Sequence, residues 1–314
     1  MNPYFKQPVI DWLLEKNNPV IRNLTITEIL HEDYSVSYEE AVTYFEKTFS
    51  DKSHKSLNST IHYFTFAAES AIRADEKFIQ PLIKKIIEKS FIEGKGFSPE
   101  WKPLTPCAGW TGSILKSLIK SGYNGEEIHS CAEWLISIQR FDGGWIYSPV
   151  AGFKDSIRLY FSGKTGKGLQ REDDEKLSSS IISTACVLGA LIPYKNIYNK
   201  YHLEVKKGIK YLKNSVFTLK NEHRGIYCND DFSKIIYPVL SQTDLLSILK
   251  LLAEENQLNN GIIPYFNKIV SKQNSSGKFS LEADSHGTIH SLLGIKKGKP
   301  DKWCTLNAYR LFSI

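Results

Sequence analysis

Residues 139–145 read Gln139-Arg140-Phe141-Asp142-Gly143-Gly144-Trp145. Upstream lies Leu115–Tyr123, then a polar turn, then Cys131–Ile138. Ile128, Ala132, Leu135 and Ile136 recur at three- and four-residue steps, the period of one helix face. Gln139 therefore closes the second helix of a hairpin. Asp142-Gly143-Gly144 supplies a turn, with glycine admitting positive φ. Trp145 is then placed to fold back over the hairpin it ends, as structural glue.

The same order of features recurs. Leu245–Glu255 is followed by a polar turn, by Phe266–Lys272, and by Gln273-Asn274-Ser275-Ser276-Gly277-Lys278-Phe279. Weaker copies run from Thr60 to Gly94-Lys95-Gly96-Phe97 and from Thr184 to Arg224-Gly225-Ile226-Tyr227. Four hairpins that each expose an apolar face must stack to bury it.

Helical periodicity extends through the chain. It predicts about a dozen helices near 8–16, 19–31, 36–49, 57–72, 75–91, 109–121, 125–139, 178–191, 199–217, 241–255, 258–273 and 301–313. Asn124 and Ser178 suit N-caps. Short connections make neighbouring helices antiparallel. The exception is 140–177, a long stretch rich in Gly, Lys and aromatics; a loop this long inside a helical domain is usually functional or mobile. Useful period-two alternation is absent. The reading is all-α. Residues 1–314 form a single domain, with 1–50 an N-terminal helical extension packed on it.

Composition bounds the function. The chain has 314 residues, 41% hydrophobic and 24% charged, which excludes a disordered protein. No stretch approaches the roughly 20 apolar residues of a membrane span, and residues 1–6 lack the pattern of a secretion signal. Five scattered cysteines suggest reduced thiols in a cytoplasm. The net charge of +6 is mild. Basic enrichments at Lys154–Arg171 and Lys296–Lys299 suit a phosphate or a peripheral membrane surface. Neither has the aromatic interleaving of a nucleic-acid binder, so nucleic acid is set aside. No obligate partner is evident.

Gln139-x-x-Asp142-Gly143-Gly144-Trp145 resembles the QxxDGGW repeat of the prenyltransferase and squalene cyclase superfamily, and Gln273-x-x-x-Gly277-x-Phe279 looks like a degenerate second copy. Lys302-Trp303-Cys304-Thr305-Leu306-Asn307-Ala308 and Trp12-Leu13-Leu14-Glu15-x-x-Asn18-Pro19-Val20-x-Arg22 resemble the closing and opening segments of small, stand-alone bacterial squalene-cyclase-like proteins. The likeness spans residues 8–313. It implies an α/α toroid whose central apolar cavity takes an isoprenoid. Cyclases of that family protonate an alkene or epoxide with the middle aspartate of DxDD; this chain has no DxDD. Protein prenyltransferases use a zinc-bound Asp-x-Cys pair; the comparable Ser183-Thr184-Ala185-Cys186 lacks it.

Several residues are candidates for chemistry. Asp173 and Asp174, within the acidic run 172–175, could hold a raised pKa because like charges disfavour ionisation; their ordinary role is a solvated helix start. Asp284 could orient His286, or cap a loop. His286 and His290, one helical turn apart, could bind zinc with Cys304 or Cys186, but no CxxC supports it and no cofactor is expected. Arg158, Lys164 and Arg171 could clamp a diphosphate; the 163–168 run lacks the leading glycine and strand of a P-loop. His62, Tyr63, Phe66, Cys107, Trp110 and Tyr147 could line a cavity, where aromatic faces stabilise carbocations. They could equally pack a core. Together these features read as a terpene-cyclase-like protein that binds, and as an enzyme cyclises, an isoprenoid. The alternatives are a non-catalytic lipid-, peptide- or protein-binding toroid and a zinc-dependent prenyl transferase.

Overall fold

A computed structural model describes residues 4–32, 35–49, 56–99, 105–146, 179–217, 232–239, 243–283 and 293–314. Among them are twelve α-helices: α1 Gln7–Leu13, α2 Pro19–Leu24, α3 Ser35–Phe49, α4 Leu57–Glu69, α5 Gln80–Ser90, α6 Ala108–Lys120, α7 Glu127–Ser137, α8 Ile181–Tyr198, α9 His202–Phe217, α10 Leu245–Glu254, α11 Ile263–Val270 and α12 Lys302–Ser313. Each overlaps a helix expected from periodicity, and the protein is all-α. The only strands described are β1 (Phe91–Ile92) and β2 (Gly96–Phe97), an antiparallel pair.

The chain divides into two compact units. One joins Met1–Lys52 to Leu219–Val239 and Thr243–Ile314; the other comprises Ser53–Thr218 and Leu240–Gln242. In the first, α12 packs on α10, on α2 and on the π-helical turn Thr25–Ile29 that extends α2. Arg310 of α12 pairs with Glu28 of that turn. In the second unit, α6 packs along α8, α8 on α9, and α4 on α5 and α6. Gly112 is what lets α6 come so close to α8: a Cβ there would lie 2.7 Å from the Cys186 carbonyl.

The QxxDGGW segment folds as a hydrogen-bonded plug. Gln139 Nε2 donates to the carbonyls of Gly143 and Glu204, both at 2.9 Å. Asp142 Oδ1 accepts from the Gly144 N–H at 3.0 Å and from the Ser179 hydroxyl at 2.6 Å, while Oδ2 accepts from the Ser179 N–H at 3.0 Å. Gly143 sits at φ +88°, a left-handed conformation that favours glycine. Trp145 is fully buried and its Nε1–H donates to the Leu135 carbonyl at 2.7 Å.

The junction between each turn and its next helix is built the same way three times, bond for bond. The backbone N–H of an aromatic residue donates to a threonine hydroxyl: Phe97 to Thr111 at 2.9 Å, Trp145 to Thr184 at 3.0 Å, Phe279 to Thr305 at 3.0 Å. The carbonyl of the same aromatic accepts from the N-cap residue of the next helix: Cys107 at 2.9 Å, Ser180 at 2.8 Å, Asp301 at 3.0 Å. Each threonine is the fourth residue of its helix, α6, α8 or α12. The repeat in the sequence is therefore a repeat in hydrogen bonding. Its Arg224–Tyr227 copy lies outside the described residues.

Local details differ from expectation at the helix ends. The N-cap of α7 is Glu126, without a side-chain cap bond, not Asn124. The N-cap of α8 is Ser180, whose hydroxyl accepts from Ser183; Ser178 lies outside the described residues. Periodicity stops α8 at 191, ahead of Pro193, yet the helix continues through Pro193 to Tyr198. Tertiary burial outweighs the lost backbone bond there: Leu191, Ile192 and Tyr194 are all buried. Among the described residues α8 is also the one helix long and apolar enough to cross a membrane, with 61% of it buried in the protein's own packing.

The repeated junction yields a direct test. Valine keeps the shape of threonine but offers no acceptor, so T184V and T305V each leave a buried N–H unsatisfied. Each is expected to lower stability by about 1–3 kcal/mol in urea titrations, with T184S and T305S losing less.

Candidate functional site

Asp244 starts α10. Its extended backbone and short acceptor side chain make it an N-cap, and Oδ1 accepts the Ser247 N–H at 2.8 Å. Caps usually face water, but Asp244 is only 2% exposed. Its second oxygen, Oδ2, is buried with no hydrogen-bond partner among the described residues. Burial raises its pKa above the ordinary 3.8, outweighing the opposing pull of the Ser247 bonds, the Lys250 charge and the Ile236 N–H. The direction follows from its place, because a carboxylate removed from water loses the solvation that stabilises its charge.

The groups around α10 and α12 make a mixed aromatic and polar setting. Tyr237 stacks on Trp303, with ring centroids 5.5 Å apart and an interplanar angle of 16°. Lys250 Nζ donates to Asn307 Oδ1 at 2.7 Å. Lys272 pairs with Glu282, which also accepts the Ile235 N–H at 2.7 Å. Cys304 is buried on α12, and burial first, then the nearby acidic groups of Asp301, Asp244 and Glu282, push its thiol well above the usual value. A thiol held protonated is a poor metal ligand and a poor nucleophile. Among the described residues no three His, Cys, Asp or Glu side chains converge to hold a metal.

The second unit brings together part of the aromatic set expected from the sequence. His62 on α4 stacks on Trp110 of α6, with centroids 5.9 Å apart and planes within 8°. A Ser117 to Thr65 hydroxyl bond at 3.3 Å ties the same two helices. Tyr63, Phe66 and Cys107 are almost wholly buried. Cys107 is the α6 N-cap, and its N–H serves the Phe97 junction. Tyr147, Arg158, Lys164, Arg171, Asp173, Asp174, Asp284, His286 and His290 lie outside the described residues.

Asp244 is the residue that sequence reading passes over. Thr243-Asp244-Leu245-Leu246 looks like any acidic cap before an apolar helix. The one signal it carries is its place: it opens the first helix of a repeat copy.

A scan of the chain against protein-family models finds no match, and a search of curated proteins finds no relative.

The raised pKa fixes the sign of a pH effect. The folded state binds the Asp244 proton more tightly than the unfolded state, so this group's contribution falls as pH rises from about 4 through the raised value. Wild type is expected to lose stability relative to D244N over that interval in denaturant titrations. D244A is expected to be about 1 kcal/mol less stable than D244N at every pH, because it also removes the cap.

Proposed function

We propose that the chain is a terpenoid-cyclase-like protein whose helical hairpins close into an α/α toroid, with an isoprenoid taken into its apolar interior and cyclised there. The Gln139–Trp145 plug and the threefold aromatic–threonine junction support the hairpin architecture. The observation that carries the chemistry is Asp244, a buried carboxyl whose Oδ2 has no hydrogen-bond partner among the described residues and whose pKa is raised by burial. Protonating an alkene needs an acid kept neutral at working pH and shielded from water.

In this reading Asp244 Oδ2–H gives its proton to a terminal alkene carbon. The O–H bond breaks, the alkene π pair forms the new C–H bond, and a carbocation and a carboxylate remain. Ring closure consumes further alkenes and moves the positive charge along the chain. Loss of a proton from the last cation to water ends the reaction, and a solvent proton restores Asp244. Lys250, held by Asn307, favours the transient carboxylate. The stacked Tyr237–Trp303 pair, in the same unit as Asp244, offers aromatic faces of the kind that stabilise cations. The reaction needs no cofactor and no second subunit, and it fits a cytoplasmic protein working beside a membrane that stores isoprenoids.

Purified protein incubated with squalene and with prenyl diphosphates is expected to give a cyclised product, seen by gas chromatography and mass spectrometry of extracts. D244N is expected to lose the product while keeping the rise in melting temperature that the substrate causes. Folded wild type that yields no product from any of these substrates contradicts the proposal.

A further inference from the structure

Among the described residues of the second unit, the large exposed apolar side chains Phe141, Ile197 and Leu203 lie on or against the turn from α8 into α9. α8 passes into α9 through a tight turn in which Asn199 and Tyr201 both hold positive φ, at 53° and 65°. Ile197 and Leu203 flank this turn and stand 60% and 58% exposed. The plug turn lies over the start of α9: Gln139 binds the Glu204 carbonyl, and a Cβ on Gly143 would lie 2.6 Å from the Lys207 carbonyl. Phe141, at its tip, is 71% exposed. Large exposed apolar side chains normally occur singly; here three share one end of one unit.

The charge around them is predominantly positive. Residues 195–213 carry six lysines against the single Glu204, a net of +5. The core face of α9, including Val205, Ile209 and Leu212, is buried. Its outer stripe therefore presents Lys206, Lys207 and Lys210 in line with Leu203. Partly exposed Tyr198 and Tyr201 border the turn, beside buried Tyr194 and half-buried His129, whose Nδ1 lies 2.9 Å from the Tyr194 hydroxyl. Glu133 of α7 also acts on Tyr194 and Tyr201, so one carboxylate from a neighbouring helix faces this end.

We infer that this end is a docking face for an anionic phospholipid surface, with Lys206, Lys207 and Lys210 meeting the headgroups and Phe141, Ile197 and Leu203 entering the acyl boundary. Charge complementarity selects this occupant: clustered lysines are drawn to an anionic leaflet, and isolated apolar or aromatic tips anchor at its interface. The inference rests on surface side chains alone and does not depend on the isoprenoid reading.

The test is co-sedimentation with phosphatidylcholine vesicles, with and without phosphatidylglycerol. Binding is expected only when phosphatidylglycerol is present and is expected to weaken as salt rises. The K206E/K207E/K210E variant is expected to bind more than about a hundredfold more weakly, and F141S/L203S about tenfold more weakly. Both variants are expected to keep the wild-type melting curve and any cyclase activity on detergent-dispersed substrate. Equal binding to neutral vesicles, or unchanged binding by the charge-reversed protein, overturns the inference. So does vesicle-free self-association that F141S/L203S abolishes, which would assign the face to a second copy of the chain.

Discussion

The bond between an aromatic backbone N–H and a threonine hydroxyl governs how one hairpin leads into the next. Phe97, Trp145 and Phe279 are fully buried. A peptide group in such a place must find a donor and an acceptor or cost about 1–3 kcal/mol for each one missed. The helix after the turn supplies both. Its N-cap N–H meets the aromatic carbonyl, and the threonine three residues into the helix meets the aromatic N–H. These two bonds fix where the helix starts and how it is rotated. A slip of one residue would bury two polar groups without partners.

The same demand for partners explains why Asp244 differs from the other caps. Asp301 also caps a helix, and its Oδ1 accepts from both Trp303 and Cys304 at 2.8 and 3.2 Å. Asp142 uses both oxygens. Asp244 has the same local chemistry but is buried at the start of α10, with Oδ1 engaged and Oδ2 without a partner among the described residues. Local sequence sets the capping role; tertiary burial shifts the carboxyl's proton affinity upward.

Much of the architecture was legible because helical periodicity survives in single-sequence form. Ile128, Ala132 and Leu135 really do face inward on α7. The Gln139–Trp145 turn was readable because glycine and aspartate leave distinct marks. The end of α8 was not, since Pro193 reads as a stop and only the burial of Tyr194 overrides it. Thr111, Thr184 and Thr305 stood at equivalent places in the sequence, but a threonine inside a helix carries no visible sign of an acceptor role. The stacking of His62 on Trp110 joined two aromatic positions expected from the sequence, whereas Asp244 depended on burial that no local pattern announces.

The most direct measurement of the repeated junction is hydrogen exchange at three backbone amides, those of Phe97, Trp145 and Phe279, observed by NMR. If each is held by its threonine hydroxyl inside the core, all three exchange only through large-scale opening of their unit, as slowly as amides in the middle of α6 and α12. Exchange at the rate of an exposed turn amide at any of the three positions would contradict the account.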